Sequence, residues 1–592
     1  MKHWINSRIF GFDAHNANAY DKTEWVAGKS VLKKTRSRVV VLMCAFLLAY
    51  VAIIGRMTHL ALSSTIHERE DDMPQQNADL GVSNTKRADI VDREGKLLAT
   101  SLKTSSLYAD PKNIMDAADA ARKLVSLFPD FNYDDIYKKL SSKRRFIWLK
   151  RNLTPKQLYA ANALGIPGVD FIDETRRVYP YGSLTSHVVG YADVDGNGLA
   201  GLERAMDEPL RNSDTPLQTT IDVRLQHILQ REIQKSIVDF DAIGGAGMIM
   251  DAKSGEIYAM VSQPDFNPHN PGDITDAQRF NRITLGAYEM GSTFKTFTMA
   301  ASQEYMNMPL MTRFDASHPI YRYGFFIHDH DDKEARWLTI PEIFMYSSNI
   351  GTAQIAEKVG TDNMRKMYQE LGFFQKPVIE IKEVASPILP RPWGSLSTLT
   401  ASYGHGIAVT PLQLASGVAA IMNGGTKVHP TLIKRSEESY KDQPAERIVS
   451  PKTSATMREL YRIVVSNGTG RKADIPGYEV GGKTGTAEKT LGHGYSKNAQ
   501  IASFVSAFPI DDPKYIVLLM VDEPKGNKKS YGFATAGWVA APYVGNVIKE
   551  MAPIVGVMPK RDDKLQTIKA NMGLIPPEQA SNHSQGGRLA SY

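Results

Sequence analysis

Residues 39–55 read VVVLMCAFLLAYVAIIG, seventeen positions without a charge. As a helix they rise about 26 Å, close to the thickness of a bilayer's hydrocarbon core. Ten of them are Val, Leu, Ile or Phe. Together these are worth roughly −3 to −6 kcal/mol of insertion, whereas one central Lys or Arg costs about 3 kcal/mol. The flank before the run is basic: residues 1–38 hold eight Lys or Arg against three acids, so +5 of the chain's formal +6 sits there. By the positive-inside rule, residues 1–38 are expected to form a cytoplasmic tail and 39–62 a single transmembrane anchor, with the rest exported. Arg56 and His59, near the end of such a helix, can reach toward headgroups. A cleaved signal peptide has a shorter apolar core that begins nearer the first residue.

With the positive charge confined to one end, the electrostatic case for a nucleic-acid partner disappears. The 592 residues point to several domains rather than one. Their 42% hydrophobic and 23% charged content is that of a globular chain, neither disordered nor multi-spanning. The single cysteine, Cys44, lies in the apolar run. The exported part therefore has no disulfide and no cysteine chemistry.

Beyond a polar stretch over 66–85, Ala88 to Leu98 reads as strand, turn and strand around Asp92-Arg93-Glu94-Gly95. Residues 110–165 read as helical, with stops near Pro129 and Pro155. Asp193, Asp195 and Asn197 have the spacing of a calcium loop but lack its remaining ligands, which favours a plain turn. Leu225, Leu229, Ile233, Ile237 and Phe240 recur at helical spacing behind Asp222, a candidate N-cap. Hairpin patterns follow at 245–262 and 500–522, and a helix divided by Pro542 spans about 532–551. Strand pairs at both ends of one domain, with helices between them, predict an α+β fold on an antiparallel sheet. The segment 559–592, rich in Pro, Ser and Gly, is expected to be a disordered tail.

Three motifs carry chemistry. Ser292 and Lys295, three apart at the start of a predicted helix, share a face, so the amine can take the hydroxyl's proton if burial or a nearby cation keeps it neutral. S-x-x-K also occurs at Ser30–Lys33 and Ser83–Lys86, in the anchor flank and the linker. Ser347 and Asn349 follow a helical stretch: the hydroxyl can pass a proton to a leaving amine and the amide can hold a substrate amide. S-x-N recurs at Ser496–Asn498, and a helix-ending turn is the plainer reading. Lys483-Thr484-Gly485-Thr486 follows a strand-like Tyr478-Glu479-Val480. Gly485 leaves room for a substrate backbone at a sheet edge. Lys483, Thr484 and Thr486 can hold a carboxylate, and the Thr486 N–H can join an oxyanion site.

In this order, S-x-x-K, S-x-N and K-T-G are the signature of penicillin-recognising serine enzymes. The sequence resembles the class B penicillin-binding proteins, and within them the division-specific peptidoglycan D,D-transpeptidases. Further stretches share the likeness: Arg87 to Arg93, Gly404 to Leu414, and Gly481 to Lys489. Met290 stands where that family commonly has proline before Gly-Ser. The resemblance implies a penicillin-binding, serine β-lactamase-like transpeptidase domain over 216–558 and a non-catalytic pedestal over 63–215. Ser292 would be the nucleophile, Lys295 the base and Ser347 the proton relay. Asn349, Lys483, Thr484, Gly485 and Thr486 would bind substrate, without metal or cofactor. D-Ala-D-Ala stem peptides and β-lactams are the implied ligands. A SEDS-family glycan polymerase and other division proteins are the implied membrane partners, with the catalytic domain in the periplasm of a bacterial inner-membrane protein.

The rivals are an elongation-specific class B transpeptidase, a hydrolytic D,D-carboxypeptidase or β-lactamase, and a non-enzymatic β-lactam sensor or divisome scaffold. The anchor and large N-terminal region weigh against the hydrolases, and the short cytoplasmic tail against a sensor. The His328-Asp329-His330-Asp331-Asp332 stretch is read as a solvent-facing loop rather than a metal site.

Overall fold

The structure is a computed structural model that describes residues 43–57, 87–330, 336–436, 446–491, 494–560 and 562–577. The chain divides into two units, 1–82 and 83–592. In the first, residues 43–57 form a helix with exposed side chains. At 1.5 Å per residue it covers about 22 Å, short of a bilayer core. Among the described residues no helix is long and apolar enough to cross a membrane. The remainder of the expected 39–62 anchor, the basic tail and the S-x-x-K copies at 30–33 and 83–86 lie outside the described residues.

The second unit opens on the expected strand, turn and strand. Ile90–Val91 leads to a turn in which Asp92 Oδ1 accepts the Glu94 and Lys96 N–H groups at 2.8 Å each, and Leu97–Ala109 follows. The long strand pairs antiparallel with Ile147–Leu153 and Val169–Val178. The stretch 110–165 is thus not all helix. Helices run over Ala117–Leu127, Tyr133–Leu140 and Pro155–Ala163, but 147–153 is a strand. Pro155 begins a helix rather than ending one, because its missing N–H costs nothing in a first turn, and the Thr154–Gln157 capping box fixes that start. Asp193 Oδ1 accepts the N–H groups of Asp195 (2.9 Å) and Asn197 (2.8 Å), which makes that stretch a turn.

A five-stranded antiparallel sheet organises the rest. Its order is Gly481–Leu491, Gly494–Phe508, Tyr515–Asp522, Gly244–Asp251, Ile257–Gln263. The two-residue period of a strand sends alternate side chains to opposite faces, and each face has its own core. Ile249, Val517 and Leu519 pack with Leu229 and Ile233 of the helix Val223–Asp239 and with Val544 and Ile548 of Ala541–Ile554. Met248, Leu518 and Met520 face Phe294, Phe297, Leu414 and Leu460 in the cluster that includes the helices Lys295–Met306, Pro411–Met422 and Pro451–Ser466. This is the α+β architecture that the hairpin spacing predicts.

Two boundaries differ from expectation. The strand carrying Lys483 begins at Gly481, and residues 478–480 are irregular. In the segment expected to be a disordered tail, Leu565–Asn571 is helical, Met572 is buried and Asp562 pairs with Arg462 at 2.8 Å. The polar composition hid a short helix that one buried methionine and one ion pair dock onto the domain. Residues 578–592 lie outside the described residues.

Candidate active site

Ser292 sits in a 3-10 turn, Gly291–Phe294, that runs directly into the helix Lys295–Met306. Phe294 and Phe297, packed edge to face at 5.3 Å, bury the entry. Thr298 Oγ1 donates to Ser402 O at 2.8 Å, and Thr296 bonds the Tyr461 hydroxyl at 2.8 Å. Met290, in place of the family's usual proline, is buried in the core, and its carbonyl accepts the Thr293 hydroxyl at 2.8 Å. Close packing further holds the turn. Gly404 has φ +84°, and a Cβ there would lie 2.1 Å from Gly291 O. Only glycine fits such an approach.

The Lys295 amine lies 3.1 Å from Ser292 Oγ, 3.2 Å from Ser347 Oγ and 2.7 Å from Asn349 Oδ1, and it also donates to the Ser347 carbonyl. It is fully buried. Burial pushes its pKa down to about 7, against a smaller upward pull from the Asp329 charge. A neutral amine has two hydrogens and one lone pair. With the hydrogens on Asn349 Oδ1 and the Ser347 carbonyl, the lone pair faces the Ser292 hydroxyl, ready to accept its proton.

Ser347 closes the helix Ile340–Tyr346 in the left-handed conformation, φ +65°. For a serine this is a strained backbone of the kind that clusters at functional sites. Its hydroxyl oxygen lies 3.2 Å from the Lys295 amine and accepts from Lys483 at 3.0 Å. The Ser347 hydroxyl thus sits between the two lysine amines. Asn349 begins the helix Asn349–Val359. Its Nδ2 donates to His328 O at 3.0 Å, so both ends of the amide already have protein partners. One hydrogen and one lone pair remain for a substrate amide.

Lys483 is also fully buried, 3.1 Å from Thr484 O and 5.6 Å from the centre of the Phe344 ring. Burial, then the Lys295 charge, holds its pKa well below the usual lysine value. Its strand is at the edge of the sheet. Thr484 and Thr486 share one face of it. Thr484 Oγ1 bonds the Thr469 hydroxyl at 2.7 Å, and Thr486 Oγ1 accepts the Ala536 N–H at 3.2 Å. The absence of a side chain at Gly485 also matters inside the protein. A Cβ there would lie 2.6 Å from Met290 O and 2.7 Å from Thr293 Cγ2, so its bareness lets the strand press on the Ser292 turn. All eight expected residues are thus drawn into one neighbourhood.

Asp329 was missed as part of it. Its carboxylate accepts the Ser348 hydroxyl at 2.7 Å, the Ile350 N–H at 2.9 Å and the Asn349 N–H. An acid at a helix N-terminus is favourably placed, and this one fixes the Ser-x-Asn turn and its charge reaches Lys295. The only sequence signal was an acid about 20 positions before Asn349, inside the stretch weighed as a metal site. Among the described residues no cluster of His, Cys, Asp or Glu could hold a metal; Asp331 and Asp332 lie outside them.

A half-buried hydroxyl beside a buried amine whose pKa is depressed, with a second hydroxyl within reach of that amine and an edge strand alongside, is equipped for acyl transfer through serine. The comparisons agree with that class. The family model described as the penicillin binding protein transpeptidase domain matches residues 245–545, and the one described as the penicillin-binding protein dimerisation domain matches 82–238. A Caulobacter vibrioides protein named probable peptidoglycan D,D-transpeptidase FtsI is 40% identical over 83% of this chain and 85% of its own. The Escherichia coli peptidoglycan D,D-transpeptidase FtsI is 28% identical over 86% of this chain and 91% of its own. Stage V sporulation protein D of Bacillus subtilis is 30% identical over 81% and 79%. A Mycobacterium tuberculosis penicillin binding protein 3, solved with aztreonam, superposes with a TM-score of 0.63 over 81% of this chain and 98% of that one; at 24% identity this is a likeness of fold. The chain belongs to the penicillin-binding protein transpeptidase family, in the class B arrangement that joins this domain to the N-terminal dimerisation domain.

Proposed function

We propose that the protein is a peptidoglycan D,D-transpeptidase that cross-links stem peptides through a Ser292 acyl-enzyme during septal wall synthesis, and that β-lactams acylate the same serine. The observation that carries this reading is the Lys295 amine, buried and 3.1 Å from Ser292 Oγ. Neutral Lys295 takes the hydroxyl proton as Ser292 attacks the penultimate D-Ala carbonyl. Charge developing on the carbonyl oxygen meets the Ser292 and Thr486 N–H groups. The Ser347 hydroxyl, bridged to both lysines, passes a proton to the departing D-Ala amine. Thr484 and Thr486 bind the terminal carboxylate, and Asn349 the stem amide. A neighbouring stem's side-chain amine then attacks the acyl-enzyme, and the same groups return the proton.

In this reading residues 39–62 anchor the chain in the inner membrane, with 1–38 cytoplasmic and the catalytic domain periplasmic. The region 63–215 serves as a pedestal, and a SEDS-family polymerase with other division proteins supplies glycan and control. The likeness to proteins named FtsI favours division over elongation. The test is labelling with a fluorescent penicillin. Ser292→Ala is expected to abolish it, and persistent labelling would mean that another serine is the nucleophile. D-Ala release measured with and without an amine acceptor separates transpeptidation from hydrolysis. A tagged copy at mid-cell rather than along the side wall separates division from elongation.

A further inference from the structure

One surface next to the cleft plays no part in the acyl transfer. Ile320–Arg322 and Phe325–Ile327 form a two-stranded hairpin closed by Tyr323 (φ +47°) and Gly324 (φ +89°). Two positive φ values match the twist of a two-residue hairpin turn. On it Tyr321, Tyr323, Phe325 and Phe326 are each more than half exposed. The Tyr321 and Phe326 rings stand 5.0 Å apart, and the Phe326 ring is 6.1 Å from that of His328. Four open aromatic rings within six positions are a cost in water that a surface carries only for contact with something else.

The hairpin is also built into the site. The residue after its second strand, His328, gives its carbonyl to Asn349 Nδ2, and the next, Asp329, holds the Ser348 hydroxyl and the Asn349 and Ile350 N–H groups. His328 and Asp329 thus join the ring-bearing hairpin to the Asn349 side of the cleft. Around them are groups able to bond hydroxyls: the phenols of Tyr321 and Tyr323, and Arg322, whose guanidinium is oriented by Glu357 at 3.0 Å. Flat apolar faces bordered by donors and acceptors suit a pyranose ring, which offers C–H groups on its faces and hydroxyls at its rim.

Resting on the proposed function, we infer that this hairpin binds the sugar of a glycan strand whose stem peptide occupies the cleft, so that the enzyme reads glycan as well as peptide. The experiment compares three ligands on full-length protein: a fluorescent penicillin, a bare pentapeptide stem, and the same stem on its disaccharide. The variants are Tyr321→Ser/Phe326→Ser and, as a control, Tyr159→Ser, which removes an exposed aromatic from the pedestal. The double variant is expected to lose about tenfold in kcat/KM for the disaccharide-bearing stem, the worth of about two ring contacts. Penicillin acylation and bare-stem turnover should stay at wild-type rates, as should all three activities of the control. Equal turnover of both stems by wild type, or equal loss on both in the double variant, overturns the inference, as does a hairpin that cross-links to a partner protein while sugar discrimination is intact. Failure of Ser292 labelling in wild type would instead overturn the proposed function itself.

Discussion

The pedestal and the cleft both bury cations, and they treat them in opposite ways. In the pedestal the Arg87 and Arg177 guanidiniums flank Glu203, which is 0% exposed; Arg87 also pairs with Asp207 at 2.7 Å, and further N–H groups reach the carbonyls of Glu203 (2.6 Å) and Ala88 (2.8 Å). In the cleft Lys295 and Lys483 are just as buried, yet their partners are hydroxyl, carbonyl and amide oxygens. A carboxylate in contact compensates for desolvation and leaves a cation as a structural tie; without one, the cheaper course is to give up the proton. The same fold thus makes ties in one region and bases in the other by supplying or withholding an acid.

The comparison breaks most readily at Lys295. Lys295→Arg keeps a cation there but one that does not deprotonate, and it is expected to lower the second-order rate of penicillin acylation by on the order of 10³-fold. Wild-type acylation by this variant would mean that a neutral amine is not needed. On the pedestal side, Glu203→Gln removes the charge the two guanidiniums share, leaving Arg87 with Asp207 and Arg177 without a carboxylate in contact, and should cost about 3 kcal/mol of stability, read by thermal or denaturant unfolding.

Lys483→Met sharpens the contrast. Replacing an unpaired buried lysine with an apolar side chain of similar length should leave the melting temperature equal or higher, because the desolvation cost goes with the amine. Acylation should fall, since Ser347 loses the Lys483 donor that orients its hydroxyl. A large loss of stability would show that Lys483 is a tie after all.

What the sequence disclosed follows the range of the interactions. Ser292 and Lys295 are three apart on one turn of chain, and the hairpins announce themselves by alternation, so both were legible. The meeting of three distant motifs was legible only through family resemblance. The packing of Gly485 on the Ser292 turn was not legible, because nothing local says that Met290 O and Thr293 lie across from it. The strand Ile147–Leu153 reads as helix in the sequence because its neighbour, Leu97–Ala109, pairs with it from about 40 positions away. Asp329 acts across a hairpin and a helix start, which no spacing rule reaches.

Asp329 also supports the smallest and most discriminating prediction. Acylation needs neutral Lys295, so its rate should rise with pH through about 7, where the buried amine loses its proton. The Asp329 charge favours the protonated amine and moves that rise to higher pH. Asp329→Asn removes the charge but keeps an oxygen for the Asn349 and Ile350 N–H groups, so the rise should move to lower pH while the plateau stays near wild type. A lowered plateau with an unmoved midpoint would mean that Asp329 acts only by holding the Ser-x-Asn turn. A midpoint moved upward would mean that the amine at 295 is not the titrating base, and the division of buried cations into ties and bases would lose its clearest member.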